Sequence, residues 1–384
     1  MRALFLLIIV TIFILTLVYL RQRLLHLMSK RVATSCIILL GFLVLSFPLR
    51  RATGLRLGLL DDAYLYAIFV SMGFYALLLV FTLMGHLFAL LATRATPEPL
   101  REQRRRFLNK TLQGTAALAS AGLGTAAFVN ARRGPKVIKS VIFIDDLHPD
   151  LEGFKIAQLS DVHVGPTIRA PFIEPIVEKT NALDADLIAL TGDVVDGSVE
   201  ELREHVAPLT SLKSKHGVYF CTGNHEYYSG ALPWCAHFES LGMNVLLNEH
   251  KILRHKNAEL LVGGVTDLKA ERVLAEHKTD PSAVLKNAPQ NDFKLLLAHQ
   301  PRSALAAAPL GFDLQLSGHT HGGQFFPFNF LIHVFQPFVA GLYKHKSMWV
   351  YVNRGTTYWG PPFRLGPPSE ISLLILKRTP TAKA

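Results

Sequence analysis

Cysteine is scarce in this chain, three in 384 residues. Charge is scarce too: Asp, Glu, Lys and Arg make up 18%, against roughly 25% in an average soluble domain. The first shortage excludes a disulfide scaffold. Cys36 lies in an apolar run, so only Cys221 and Cys235 could form a bridge, and both read more simply as small buried apolar side chains. The second shortage, with half of all residues hydrophobic, excludes a disordered chain. Acidic residues are nearly missing from the first third: residues 1–135 hold 16 Lys/Arg and four Asp/Glu. Residues 136–384 hold 24 and 25, so the net charge of +11 sits wholly among the apolar segments. That is a membrane-topology pattern, and it leaves no basic footprint for nucleic acid.

Four apolar runs, at roughly residues 3–20, 32–49, 63–93 and 111–129, predict a membrane domain of about four transmembrane helices over residues 1–130. About 20 residues cross the hydrocarbon core, so the third run must tilt or end in the interface. The first run lacks the strongly basic start of a signal peptide and a small-residue cleavage site before Arg21. Short loops rich in Lys and Arg stay cytoplasmic. The segment 94–110 has six basic residues against two acidic ones, and the loop 21–31 has four basic residues. The loop 50–62, with three Arg and two Asp, is the compromise. Everything after residue 130 is therefore expected on the extracytoplasmic side of the cell inner membrane. Residues 103–110, with Arg-Arg-x-Phe-Leu before a weakly apolar Ala/Gly stretch, resemble a twin-arginine export signal. They read equally as a positive anchor before an ordinary span. Either reading exports the chain beyond residue 130.

From residue 136 the texture becomes α/β. Runs at 154–160, 186–191, 218–222, 260–264, 293–298, 314–317, 348–352 and 371–376 read as strands, several buried on both faces, and 170–183 as a helix. Five strands are followed at once by groups that bind metals: Asp161-Val-His163, Gly192-Asp193, Gly223-Asn224-His225-Glu226, His299, and Gly318-His319-Thr-His321-Gly-Gly. In α/β sheets the carboxyl ends of strands are where ligands bind. In extended backbone, residues two apart project to one side, which pairs Asp161 with His163 and His319 with His321.

This ordered set resembles the calcineurin-like metallophosphoesterase superfamily, over roughly residues 150–378. The spans ahead of it, and the later stretches 352–355 and 361–366, are similar to the bacterial membrane-associated branch. Glu226 stands where many relatives have Asp. The resemblance implies transmembrane helices followed by a four-layer αββα sandwich, with residues 131–149 as linker and first strand and 379–384 as a tail. It also implies two divalent ions (Mn, Fe or Zn), which suit mixed nitrogen and oxygen ligands without thiolate. By that resemblance one ion takes Asp161, His163, Asp193 and His321. The other takes Asp193, Asn224, His299 and His319, with Asp193 bridging. A water between two such ions becomes the nucleophile of an in-line displacement. The resemblance assigns His225 as the proton donor to the leaving oxygen; orienting a metal ligand is its other reading.

The implied activity is hydrolysis of phosphoester or pyrophosphate bonds, phosphodiesterase-like, on a lipid-linked or membrane-proximal substrate. A non-catalytic membrane sensor with the same domain is the competing expectation. Arg354 and Arg364 are candidates for gripping a substrate phosphate, unless they are plain surface residues. Tyr227, Tyr228, the Phe325–Phe328 run and Tyr358-Trp359-Gly360-Pro361 supply apolar material near the site loops. It serves either core packing or a lipid interface.

Overall fold

A computed structural model describes residues 2–53, 60–94 and 97–380. Residues 54–59 of the loop between the second and third apolar runs, and residues 381–384 of the tail, lie outside the described residues. The chain divides into two compact units: residues 1–129 with Gly360–Phe363, and residues 130–359 with 364–384.

The first unit is helical: α1 (Arg2–Leu24), α2 (Lys30–Thr53), α3 (Asp61–Arg94) and α4 (Glu98–Arg132), the last running on into the second unit. Each predicted run falls inside one of these helices. Among the described residues, α3 and α4 are long and apolar enough to cross a membrane. Leu83, Met84, Leu87, Phe88, Leu90 and Leu91 of α3 are exposed, as side chains meeting lipid tails would be. Polar groups within this unit find partners on neighbouring helices: Tyr19 Oη lies 3.2 Å from His86 Nδ1, and Arg50 pairs with Asp61. Residues 103–110 are helical, within α4.

The second unit holds two six-stranded sheets. The first comprises β1 (Lys136–Ile144), β2 (Lys155–Leu159), β3 (Leu187–Thr191), β4 (Val218–Cys221), β5 (Asn244–Val245) and β12 (Glu370–Arg378), in the order β1-β12-β2-β3-β4-β5. The second comprises β6 (Glu249–His255), β7 (Ala258–Gly264), β8 (Phe293–Leu297), β9 (Leu314–Ser317), β10 (Gly341–His345) and β11 (Met348–Val352), in the order β10-β11-β9-β8-β7-β6. Strands β2 to β5 run parallel, as do β7, β8, β9 and β11. β6 and β10 have no counterpart among the expected strands: they are edge strands made of mixed charged and half-exposed residues, which carry no buried-strand pattern.

Three separate cores show how the layers stack. Alternate residues of a strand face opposite ways. Ile188 and Leu190 of β3 therefore pack under α5 (Ala170–Asn181), α6 (Val199–Val206) and α8 (Ala231–Ser240), against Ile173, Ile176, Leu202, Trp234 and Phe238. Leu187 and Ala189 face the other sheet, meeting Leu260, Val262, Leu295 and Leu316. The far side of that sheet, with Leu261, Leu296 and Val350, is covered by Val284 of α9 (Pro281–Val284) and by Ala304 and Ala307 of α10 (Ala304–Ala307). Helices, sheet, sheet and helices give four layers, the αββα sandwich expected. Burying a side chain such as Leu190 contributes about 1.5–3 kcal/mol, so these three interfaces carry the domain's stability.

Candidate metal centre

Five of the parallel strands, β2, β3, β4, β8 and β9, each stop within three residues of a candidate ligand. Asp161 and His163 follow β2, Asp193 follows β3, and Asn224 opens the short helix α7 (Asn224–Ser229) after β4. His299 follows β8, and His319 and His321 follow β9. The expectation of extended backbone at the paired ligands fails. Asp161, His163, Asp193, His319 and His321 all have φ between +49° and +71°, a left-handed conformation that is costly for residues with a Cβ. Such strain persists only where the surroundings hold it, and here the hold is visible. Both carboxylate oxygens of Asp161 accept from the His319 amide, at 3.1 and 3.0 Å, and Ser160 Oγ donates to Oδ2 at 2.6 Å. Loop residues behind β11 close over this turn: Thr356 N donates to Ser160 O, and Thr357 Oγ1 to Val162 O.

The structure brings the ligands together in two clusters. In one, His321 Nε2 is 3.2 Å from Asp161 Oδ1 and 3.2 Å from His163 Nε2. In the other, His299 Nε2 is 3.0 Å from Asp193 Oδ2 and 3.3 Å from His319 Nδ1. Asn224 Oδ1 is buried with no hydrogen-bond partner, an acceptor whose desolvation is uncompensated unless a cation meets it. Convergent imidazole nitrogens, carboxylates and this orphaned amide oxygen fit divalent ions. Two of the imidazoles are oriented by their other nitrogen: His299 Nδ1 donates to Thr191 O at 2.8 Å, and His163 Nδ1 lies 3.1 Å from both oxygens of Asp196. Burial, then the charge of His299, pushes His319 down to about 3, and burial pushes His321 down to about 4; both favour the neutral form that ligates. Burial works against ionisation of Asp193, but the neighbouring His299, His225 and His163 outweigh it and bring its pKa to about 2.

His225 sits beside these clusters with its amide donating to Asp193 Oδ1 at 2.8 Å. Its Nδ1 donates to Asp196 Oδ1 at 2.5 Å. Burial alone would discharge this imidazole, but that hydrogen bond and the charges of Asp193 and Asp196 raise its pKa to about 9. Asp196 thus serves His163 and His225 at once, and sequence reasoning missed it. Its only local signal is a place three residues after Asp193, in Gly-Asp-Val-Val-Asp. Glu226 is not a ligand position, and its carboxylate is fully engaged elsewhere. It accepts from the amides of Gly223 (2.6 Å), Val194 (2.7 Å) and Asp193 (2.9 Å), pinning two ligand loops together.

Three further residues singled out from the sequence for substrate contact already have protein partners in the structure. Arg364, proposed for gripping phosphate or for the surface, is buried. It donates to the carbonyls of His321, Arg354, Gly355 and Thr357, with Nη2 3.1 Å from His321 Nδ1, so it holds the ligand loop. Arg354 is half-buried and paired with Glu370 at 2.6 Å. Tyr227 turns into the core, its hydroxyl 2.8 Å from His277 Nδ1. The exposed aromatic rings at the site are Tyr228 and Trp359, 5.4 and 5.5 Å from the His225 ring. Cys221 and Cys235 are buried free thiols.

The sequence pattern of calcineurin-like phosphoesterases matches residues 154–323. The chain is 35% identical over 340 residues to a transmembrane protein with metallophosphoesterase domain from Bos taurus, covering 83% of this chain and 76% of that protein. Its counterpart from Danio rerio is 36% identical over 323 residues, covering 81% and 73%. An uncharacterized metallophosphoesterase from Helicobacter pylori is 37% identical over 275 residues, covering 71% and 72%. Similarity of that extent reaches well beyond the ligand motifs into the layers that place them, and the chain belongs to the calcineurin-like metallophosphoesterase family.

Proposed function

We propose that this protein is a membrane-anchored phosphohydrolase that cleaves phosphoester or pyrophosphate bonds of a lipid-linked or membrane-proximal substrate on the extracytoplasmic side. The observation that carries the reading is the two ligand clusters, together with a buried Asn224 oxygen left without a partner. Asp161, His163 and His321 would hold one divalent ion, and Asn224, His299 and His319 the other, with Asp193 common to both. Two such ions supply Lewis-acid neutralisation of the phosphoryl oxygens and a nucleophile at neutral pH.

The chain's own groups do the rest. His225, partly open to solvent and kept protonated by Asp196, donates a proton to the leaving oxygen, a contribution typically worth 10²–10⁴ in rate. Asp196 and Thr191 O fix the rotation of His163 and His299, so their free nitrogens face inward. Tyr228 and Trp359 form an apolar rim where a leaving group attached to lipid can rest. The basic loops 21–31 and 94–110 support the orientation.

Protein stripped of metal is expected to lose hydrolysis of an aryl phosphodiester and to regain it with Mn²⁺. Asp193→Asn is expected to lose turnover and bound metal together. Silence with every divalent ion would instead favour a sensor that binds without turnover.

A further inference from the structure

The stretch after the last histidine motif folds into α11 (Phe328–Phe335), an eight-residue helix in which no residue is buried. Phe328, Phe330, Leu331, Val334 and Phe335 are exposed, Phe330 at 66% and Val334 at 76%. At 3.6 residues per turn these five side chains fall within one arc of about 160°. Asn329, Ile332 and His333 occupy the remainder. In water such a face is a standing cost.

The helix is fixed to the site. A Cβ on Gly323, two residues past His321, would lie 2.3 Å from Asn329 Cα, so the backbones touch there. Gln324 clasps Trp359 at the site rim, accepting from its amide and donating to its carbonyl, both at 2.9 Å. At the other end the exposed Arg302 donates to Phe335 O at 2.7 Å, placing a cation at the helix terminus.

We propose that α11 is a second membrane contact, lying in the bilayer interface with its apolar arc among the acyl chains and Arg302 among anionic head groups. The occupant is identified by three features. Phe-rich amphipathic helices partition to that interface. A cation at the rim suits anionic lipid. Only residues 133–135 separate α4 from β1, a tether of about 14 Å when extended, so the domain that carries α11 stays tied to any bilayer that α4 crosses. The inference rests on the membrane reading above but not on turnover.

The test uses the full chain with Cys36→Ser, since the other two cysteines are buried, and a fluorophore on Val334→Cys. The protein is reconstituted in phosphatidylcholine/phosphatidylglycerol vesicles. Quenching by a nitroxide lipid labelled near the head group, with little quenching by aqueous iodide, supports the contact. Phe330→Asp with Phe335→Asp should reduce that quenching and lower hydrolysis of a lipid phosphoester at least about tenfold, the factor that the loss of even one buried aromatic side chain gives. A soluble aryl phosphodiester should be hydrolysed as before. Protein that floats with vesicles while the label stays open to iodide overturns this contact and leaves the membrane reading intact; protein that does not float overturns both. A label shielded from lipid and iodide alike, in a concentration-dependent way, overturns it in favour of a second copy. Lipid quenching in a protein inactive on every ester would support the contact and count against the catalytic reading alone.

Discussion

Asp196→Asn isolates how one carboxylate serves two imidazoles. The side chain lies 3.1 Å from His163 Nδ1 through both oxygens and 2.5 Å from His225 Nδ1. An ionised carboxylate accepts from both rings. Asparagine has one acceptor oxygen and an amide that donates, so at least one ring loses its partner. A hydrogen bond to a charged group contributes about 1.5–3 kcal/mol, which corresponds to roughly 10–100-fold. That matches the usual loss when an outer carboxylate behind a metal-binding histidine is removed. If the His163 bond is lost, the ion held by Asp161, His163 and His321 should bind about tenfold or more weakly. If the His225 bond is lost, turnover should fall by a similar factor with metal retained.

Elemental analysis of metal per chain, beside hydrolysis of an aryl phosphodiester at saturating Mn²⁺, separates the two effects. His225→Ala is the control, expected to cut turnover while leaving bound metal largely intact. Combining the two substitutions should slow saturated turnover little more than His225→Ala alone, because residues in one network are non-additive. An Asp196→Asn protein with full metal and full turnover would refute the reasoning and leave Asp196 an ordinary loop residue.

The same geometry sets other outcomes. A Cβ at Gly318 would lie 1.9 Å from Ser160 Oγ and 2.1 Å from Asp161 Oδ2, so Gly318→Ala should lose metal and about 1–3 kcal/mol of stability, read by elemental analysis and denaturant unfolding. Glu226→Gln turns a donor toward the Val194 amide and should cost about 1–3 kcal/mol while the ligand loops loosen, measurable as a lowered melting temperature. A topology reporter fused after residue 384 should signal from the outer side of the membrane; a cytoplasmic signal would refute the orientation.

The primary structure by itself determined which side chains could ligate and in what order, because each motif is local: a buried apolar run, then its ligands within four residues of the strand end. It also determined the helical third, since length and apolar composition need no tertiary partner to be read. Only the tertiary structure decided the rest. Asp196 acquires its role from His163 and His225, 33 and 29 residues away in the chain. Arg364 is drawn inward by four carbonyls from two loop segments, and no local pattern distinguishes it from the half-exposed Arg354. The ligand turns adopt left-handed backbone because amides and carboxylates from separate strands hold them there, whereas spacing alone suggests extended chain. Phe325 and Tyr358 are buried while Phe328 and Trp359 are exposed, although all four are alike in composition. Which way an aromatic side chain turns depends on what packs against it, and that is a property of the assembled layers.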